Sequence, residues 1–293
     1  MLRAGLIGFS STGKTTLFNL LARGAADRAT GRLGRNEASM GSAEVPDERL
    51  DRLTELYEPE KRVPATVVFA DIAGADSPRS LVDVAAYREA NALLHVVRAF
   101  RADDVPHAAG SIDAARDARA MEDELILADL AVAERRLERI ERDKKKGFAK
   151  ELEQESQVLT ECREALETGT PIRALRFDAD GSRTLRWFQF LSAKPLLLVI
   201  NLDEADVQQS DRAVELTNLT EMLSHASTRA VPVCAQIELE IAQLDADDAQ
   251  VFLADLGLRE AGLDRIIRAT YELLGYISFF TVGKDECRAW SIP

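Results

Sequence analysis

Arg3-Ala4-Gly5-Leu6-Ile7-Gly8-Phe9-Ser10-Ser11-Thr12-Gly13-Lys14-Thr15-Thr16-Leu17-Phe18-Asn19-Leu20-Leu21 is the stretch from which the rest can be read. Residues 3–8 read as a short buried strand. Apolar residues at 17, 18, 20 and 21 have helical spacing. Between them, Gly8 to Thr15 fits G-x-x-x-x-G-K-[ST]. Glycines there let backbone N–H groups turn inward around phosphate oxygens, and the helix that follows points its positive end at the same anion. Gly8, Ser10, Ser11, Thr12, Gly13, Lys14, Thr15 and Thr16 are therefore the expected phosphate contacts. Lys14 is expected to act on the β- and γ-phosphates, and the Thr15 hydroxyl to hold Mg²⁺.

Working outward, a second strand is expected at residues 65–70, ending at Asp71. Asp71-Ile72-Ala73-Gly74 then suits a carboxylate that holds Mg²⁺ through water and a glycine N–H, Gly74, that meets the γ-phosphate. Asp71 is thus the second candidate metal residue, and Gly74 joins Lys14 as a candidate catalytic residue. Residues 92–98 and 195–200 are continuous apolar runs, as in a parallel sheet covered on both faces, and strand character returns at 230–234. Residues 46–57 are expected to be helical, and 24–41 a mobile loop without hydrophobic period.

After the strand ending at Ile200 comes Asn201-Leu202-Asp203-Glu204. Guanine-specific proteins commonly carry N-K-x-D here, with the Asp accepting two hydrogen bonds from the base. Glu204 is one methylene longer, and Leu202 replaces the lysine that would stack on the base. Selectivity built on a paired hydrogen bond is easily lost this way.

Ile126, Leu130, Ala133, Leu137 and Ile140 are spaced 4, 3, 4, 3. Leu152, Leu159, Cys162 and Leu166 follow after Lys144-Lys145-Lys146-Gly147. This predicts two helices paired as an antiparallel coiled coil. The expected fold class is α/β, a P-loop NTPase domain with a mainly parallel sheet. Residues 1–115 and 191–275 form its two parts, 116–190 are a helical insertion, and 276–293 begin a further β element. A hairpin at 277–282 and 288–292 is marginal alone; either it packs on the main domain or it belongs to a larger one.

Several segments resemble one family, the Obg-like ATPases (YchF). They are residues 44–51 (Glu-Val-Pro-Asp-Glu-Arg-Leu-Asp), Val63-Pro64-Ala65-Thr66 leading to Asp71-Ile72-Ala73-Gly74, and His95-Val96-Val97-Arg98. Residues 124–130, Ala193-Lys194-Pro195, Asn201 with Glu204, and Gly283 through Trp290 complete the set. The resemblance implies a G domain, a coiled-coil insertion and a C-terminal TGS domain of β-grasp type. It implies ATP in preference to GTP, slow hydrolysis and association with ribosomes. The family's adenine pocket carries over to Asn201, Leu202 and Glu204, and Cys234-Ala235-Gln236 sits at its last base-contacting loop. This chain departs from the family pattern at Ser11, where the family has an Asn that helps hold potassium, and at Arg35, where it has a switch threonine. The loop after Gly74 is shortened.

Three activities fit these residues: a slow ATPase switch, a nucleotide-gated binding module that has lost hydrolysis, and a GTPase. No Gln or His follows Gly74 to orient water, so hydrolysis would rest on positioning and Mg²⁺ electrostatics. The net charge of −13 argues against nonspecific coating of nucleic acid, and no DNA partner is expected. Against that acidity stand Arg135, Arg136, Arg139, Arg142 and Lys144 to Lys146, which suit ribosomal RNA phosphates or a solvated helix face. No apolar run reaches membrane-spanning length. Three dispersed cysteines, without disulfide or zinc spacing, suit a reducing, cytoplasmic compartment. Nothing in the sequence points to an oligomeric state.

Overall fold

The computed structural model describes residues 2–22, 39–71, 85–102, 104–107, 109–145, 152–225 and 227–292. Among them the strands are β1 (Leu2–Ile7), β2 (Ser39–Glu44), β3 (Lys61–Val63), β4 (Thr66–Asp71), β5 (Ala92–Arg98), β6 (Leu196–Asn201), β7 (Thr228–Val233), β8 (Ile277–Val282) and β9 (Glu286–Ile292). The α-helices are α1 (Lys14–Ala22), α2 (Glu48–Tyr57), α3 (Ala85–Glu89), α4 (Ala114–Lys144), α5 (Glu153–Glu167), α6 (Ala179–Arg186), α7 (Ala213–Leu216), α8 (Ala235–Ile241), α9 (Ala246–Asp255) and α10 (Gly262–Leu273).

The central sheet has the order β2-β4-β1-β5-β6-β7. Every pairing is parallel except β2 with β4. All seven residues of β5 and all six of β6 are buried, because helices cover both faces of the sheet. On one face Leu6, Phe69, Leu94 and Val199 pack with Leu17 of α1 and Ile266 of α10. On the other, Leu93, Val97 and Leu198 pack with Ala118, Met121 and Leu125 of α4. The parallel strands run the same way, so their carboxyl ends gather along one edge of the sheet, where open α/β sheets bind ligands.

The loop expected at residues 24–41 needs correction at its end. Residues 39–41 belong to β2, paired from Ser39↔Asp71 to Glu44↔Thr66. Ser-Met-Gly-Ser-Ala-Glu has little strand propensity; the open edge of β4 supplies the partner, and tertiary context wins. Residues 24–38, Arg35 among them, lie outside the described residues. Helix α2 starts at Glu48 rather than 46, where the Asp47 carboxylate accepts from the Arg49 N–H at 3.0 Å as its N-cap.

Helix α4 has two roles. Its first turns lie on the sheet. Beyond Ile126, its apolar seam of Ala133, Leu137 and Ile140 meets Val158, Leu159, Cys162 and Leu166 of α5. At 31 residues it is roughly 46 Å long, so its far end stands clear of the sheet. Lys146 and Gly147 lie outside the described residues. The terminal hairpin β8–β9 packs on the main body. Strand β9 pairs with β3 in parallel, and Cys287 and Ala289 are buried in the same core as Leu50 of α2.

Two buried polar links fasten α4 to the turn that leads into β6. Asp129 accepts from the N–H groups of Leu191 at 2.9 Å and Ser192 at 2.6 Å. Arg173 pairs with Glu122 and also donates to the Ser192 carbonyl at 3.2 Å. Burial pushes the Asp129 carboxyl up to about 6, against the two amides and Arg88. Replacing Asp129 with Ala strands two buried N–H groups. The expected loss, about 2–5 kcal/mol, is read from urea unfolding, and a loss under half a kcal/mol would contradict this assignment.

Candidate functional site

The loops that follow β1, β5, β6 and β7 meet at the carboxyl ends of the central strands, beside the last residue of β4. The first, between β1 and α1, carries the sequence motif. Gly8 has φ +144° and would place a Cβ 2.5 Å from the Val96 carbonyl, so only glycine fits under β5. Gly13, at φ +93°, lies against the Asn201 side chain, and a Cβ there would collide with Nδ2. Ser11 takes the left-handed region at φ +61°, strained for a serine and better tolerated by asparagine. The Lys14 ammonium arches back over the loop and donates to the carbonyls of Gly8 at 2.8 Å and Phe9 at 2.6 Å. Thr12 is buried and donates to the Phe9 carbonyl. Ser10 is half-buried and Ser11 exposed at the loop's outer side.

Asp71 is the last residue of β4, and its Oδ2 accepts from Thr15 Oγ1 at 3.1 Å. The hydroxyl and carboxylate that the sequence separates by 56 positions are therefore neighbours beside Lys14. A hard, oxygen-preferring cation fits this donor set: one carboxylate and one hydroxyl at the mouth of an amide-lined loop. Gly74 lies outside the described residues.

Two further loops follow β6 and β7. Asn201 ties them to the first. Its Nδ2 donates to the Thr12 carbonyl at 2.9 Å, and its Oδ1 accepts from the Ala235 N–H at 3.0 Å. A cavity of about 310 Å³ opens beside it. Gly13 and Thr16 line the end toward the P-loop, Asn201, Leu202 and Glu204 one side, and Cys234, Ala235 and Gln236 another. Thus the residues expected at the phosphate and at the base do converge on one cleft. Glu204 and Gln236 are exposed at the rim, whereas Leu202 and Cys234 are buried. Burial raises the Cys234 thiol above its usual range, which keeps it an uncharged wall.

The remaining wall is Phe100-Arg101-Ala102, with Asp203 and Leu239, and sequence reasoning missed it. Arg98 builds that wall. Its guanidinium is buried and donates to the carbonyls of Phe100 at 3.2 Å, Ala102 at 3.4 Å and Val105 at 3.0 Å, with the Phe100 ring 4.6 Å away. Asp203 completes it, accepting from the Arg101 N–H at 3.0 Å and the Ala205 N–H at 3.3 Å. An arginine at the end of an apolar strand was visible in the sequence. Its carbonyl partners were not, because nothing in their side chains marks them.

His95, paired in register with Ile7 just before the P-loop, is fully buried, and its Nε2 has no hydrogen-bond partner among the described residues. Burial, helped by the charges of Lys14 and Arg173, lowers it to about 3. The folded chain refuses a proton that the unfolded chain accepts between about pH 6.5 and 3. Stability from this group is therefore full above 6.5 and falls as the pH drops, by up to about 1.4 kcal/mol per pH unit. Asp129, whose carboxyl is raised to about 6, opposes it as the pH falls from about 6 to the ordinary carboxylate range, so the comparison is with a His95→Leu variant. That variant is expected to show a shallower loss on acidification from pH 6.5 in urea titrations; an unchanged slope would contradict a neutral buried His95. For the cleft itself, Asn201→Ala removes both ties at once. An expected 10- to 100-fold weaker nucleotide affinity, about 1.4–2.7 kcal/mol, is read by calorimetry, and wild-type affinity would show the ties to be dispensable.

No family model matches the chain. Curated relatives do. It is 36% identical over 301 residues to the ribosome-binding ATPase YchF of Bacillus subtilis, covering 99% of this chain and 81% of the relative. It is 37% identical to the YchF of Pasteurella multocida over 297 residues, again covering 99% and 81%. The structure of the Schizosaccharomyces pombe YchF GTPase superposes with a TM-score of 0.83 at 24% identity, over 99% of this chain and 80% of that one, and so shares its fold. With a motif-bearing first loop, a helical insertion and similarity of this order over 99% of its residues, the chain belongs to the YchF family.

Proposed function

We propose that this protein is an ATP-binding P-loop switch that hydrolyses ATP slowly and associates with the ribosome. The observation that carries the nucleotide reading is the Asn201 bridge, which makes the amide-lined loop and the cavity beside it one continuous cleft. A triphosphate would lie in the loop. Lys14 would give up its two carbonyl partners for phosphate oxygens, with Ser10, Ser11 and Thr12 around it and the Gly13 to Thr16 amides at the helix start. Thr15 and Asp71 would hold Mg²⁺, which supplies neutralisation of charge on the phosphates. The purine would enter the cavity between Phe100, Leu202 and the Cys234 to Gln236 turn.

Preference for adenine follows from the carboxylates. Guanine needs one carboxylate free to accept from two adjacent donors. Glu204 stands at that register but is longer, and Asp203 already spends both oxygens on the amides of Arg101 and Ala205. Chemistry would consist of water attacking the γ-phosphorus and ADP leaving. Lys14 and the Gly74 N–H would stabilise the transferring group by position alone, which suits a slow turnover.

Relatives named as ribosome-binding ATPases support ribosome association, and Arg135, Arg139 and Arg142, interspersed with Glu134, Glu138 and Glu141 on the far half of α4, suit contact with ribosomal RNA phosphates. The three buried free thiols suit a reducing cytoplasm, and no described helix is long and apolar enough to cross a membrane.

Steady-state turnover of the wild type against Lys14→Ala tests the reading. The variant is expected to lose about 10²–10³-fold in kcat. Equal rates would leave a binding module without catalysis. ATP is expected to displace bound GTP in competition, and a clear preference for GTP would overturn the account of Glu204.

A further inference from the structure

Trp187 is 86% exposed, against 44% for Trp290. An indole left that bare exposes a large apolar plane to water. It is not loosely held. It caps the carboxyl end of α6, and its neighbours Phe177, Leu185 and Phe188 pack against the core shared by α4 and α5. Phe188 stacks on Phe190 with centroids 5.3 Å apart and rings 13° from parallel. Trp187 is thus presented on a rigid platform.

Beside it lies a notch of about 480 Å³ between α6 and the coiled coil. Phe188 and Trp187 line one side, Arg183 and Thr184 another, and Arg136, Gln154 and Glu155 the third. Arg136 is locked flat by a two-pronged pair with Glu155, Nη2 to Oε2 at 2.8 Å. Arg183 pairs with Asp180 at 3.2 Å. Arg176 and Arg186, both exposed, carry no ion pair among the described residues. Arg139, three residues on from Arg136, carries positive charge along α4.

An aromatic plane, an amide beside it and a margin of guanidinium groups form a combination suited to an unstacked nucleobase with its phosphates. An apolar protein partner would gain nothing from the arginines. An acidic peptide would pair with them and leave the indole uncovered.

We propose that the notch between α6 and the coiled coil receives an unpaired base of single-stranded RNA, stacked on Trp187, with Arg176, Arg183, Arg186 and Arg139 on the flanking phosphates. The choice of RNA over DNA rests on the ribosome-association reading above; the choice of a single strand rests on the geometry. A base within a duplex keeps its faces covered and cannot reach the indole.

The test uses the full chain carrying Trp290→Phe, so that Trp187 is its sole indole. It is titrated with an unstructured single-stranded RNA of mixed sequence, the same RNA in duplex, CMP and polyglutamate. Single-stranded RNA is expected to quench the fluorescence saturably, with little effect of the duplex or polyglutamate. Trp187→Ala is expected to weaken RNA binding about 5- to 150-fold, and Trp187→Phe to retain most of it, with ATP turnover unchanged in both. RNA affinity unaltered by Trp187→Ala would overturn the proposal. Polyglutamate quenching as strongly as RNA would indicate a protein partner instead, and CMP binding as tightly as RNA a free-nucleotide site; either overturns it. Co-sedimentation of the wild type with ribosomes separates the two readings. If the wild type sediments and Trp187→Ala leaves RNA affinity unchanged, only the notch assignment fails; if the wild type does not sediment, ribosome association itself fails.

Discussion

Everything at this site depends on one side-chain amide. Asn201 offers a donor and an acceptor pointing in opposite directions, and the fold uses both: one on the carbonyl of Thr12, one on the N–H of Ala235. The two partners stand 189 and 34 residues away along the chain. A buried amide satisfied at both ends costs little and resists displacement, because losing either contact strands a polar group away from water. That is why Gly13 has no room for a side chain. The glycine-rich loop is pressed against the residue that ties it to the turn after β7, so the loop and the neighbouring cavity share one support.

The cleft is ordered by interactions with backbone groups more than by side-chain pairs. Lys14 rests on two carbonyls, Arg98 on three, and Asp203 on two amides. Such contacts fix loop shape whatever the neighbouring side chains are. Farther out, the same economy joins α4 to the turn before β6 through Asp129 and the two amides it accepts from. Lys194 donates to the carbonyls of Arg88 at 2.8 Å and Ala90 at 2.6 Å, beside α3. Burial lowers its ammonium to about 8. Helices α4 and α3 are therefore both hydrogen-bonded to the turn that leads into β6. Helix α4 runs from the face of the sheet to its pairing with α5.

How much of this was legible in the sequence depended on how local the governing chemistry was. The P-loop was readable because glycines, a lysine and a hydroxyl must follow one another within eight positions. Parallel strands β5 and β6 were readable because burial on both faces leaves unbroken apolar runs. The coiled coil was readable from its 4-3 spacing. Strand β2 was not, since Ser39 to Glu44 pair only because β4 has an open edge, and β3 exists only as a partner for β9. The Phe100 to Ala102 wall was not, since its shape comes from carbonyls gathered by Arg98. Trp187 was legible as a residue but not as a surface, because exposure depends on what α6 packs against. Gly74 and Arg35 fall in segments outside the described residues, so their expected roles stand as sequence readings.

The central claim is that the amide-lined loop and the neighbouring cavity form one nucleotide site. It is tested most directly by calorimetric titration of ATP with magnesium, with and without saturating tripolyphosphate. A single joined cleft gives one site per chain, and tripolyphosphate abolishes or strongly weakens the ATP signal by filling its phosphate end. Undiminished ATP affinity with tripolyphosphate bound would mean that the nucleotide sits elsewhere, and the account built on Asn201 would be wrong.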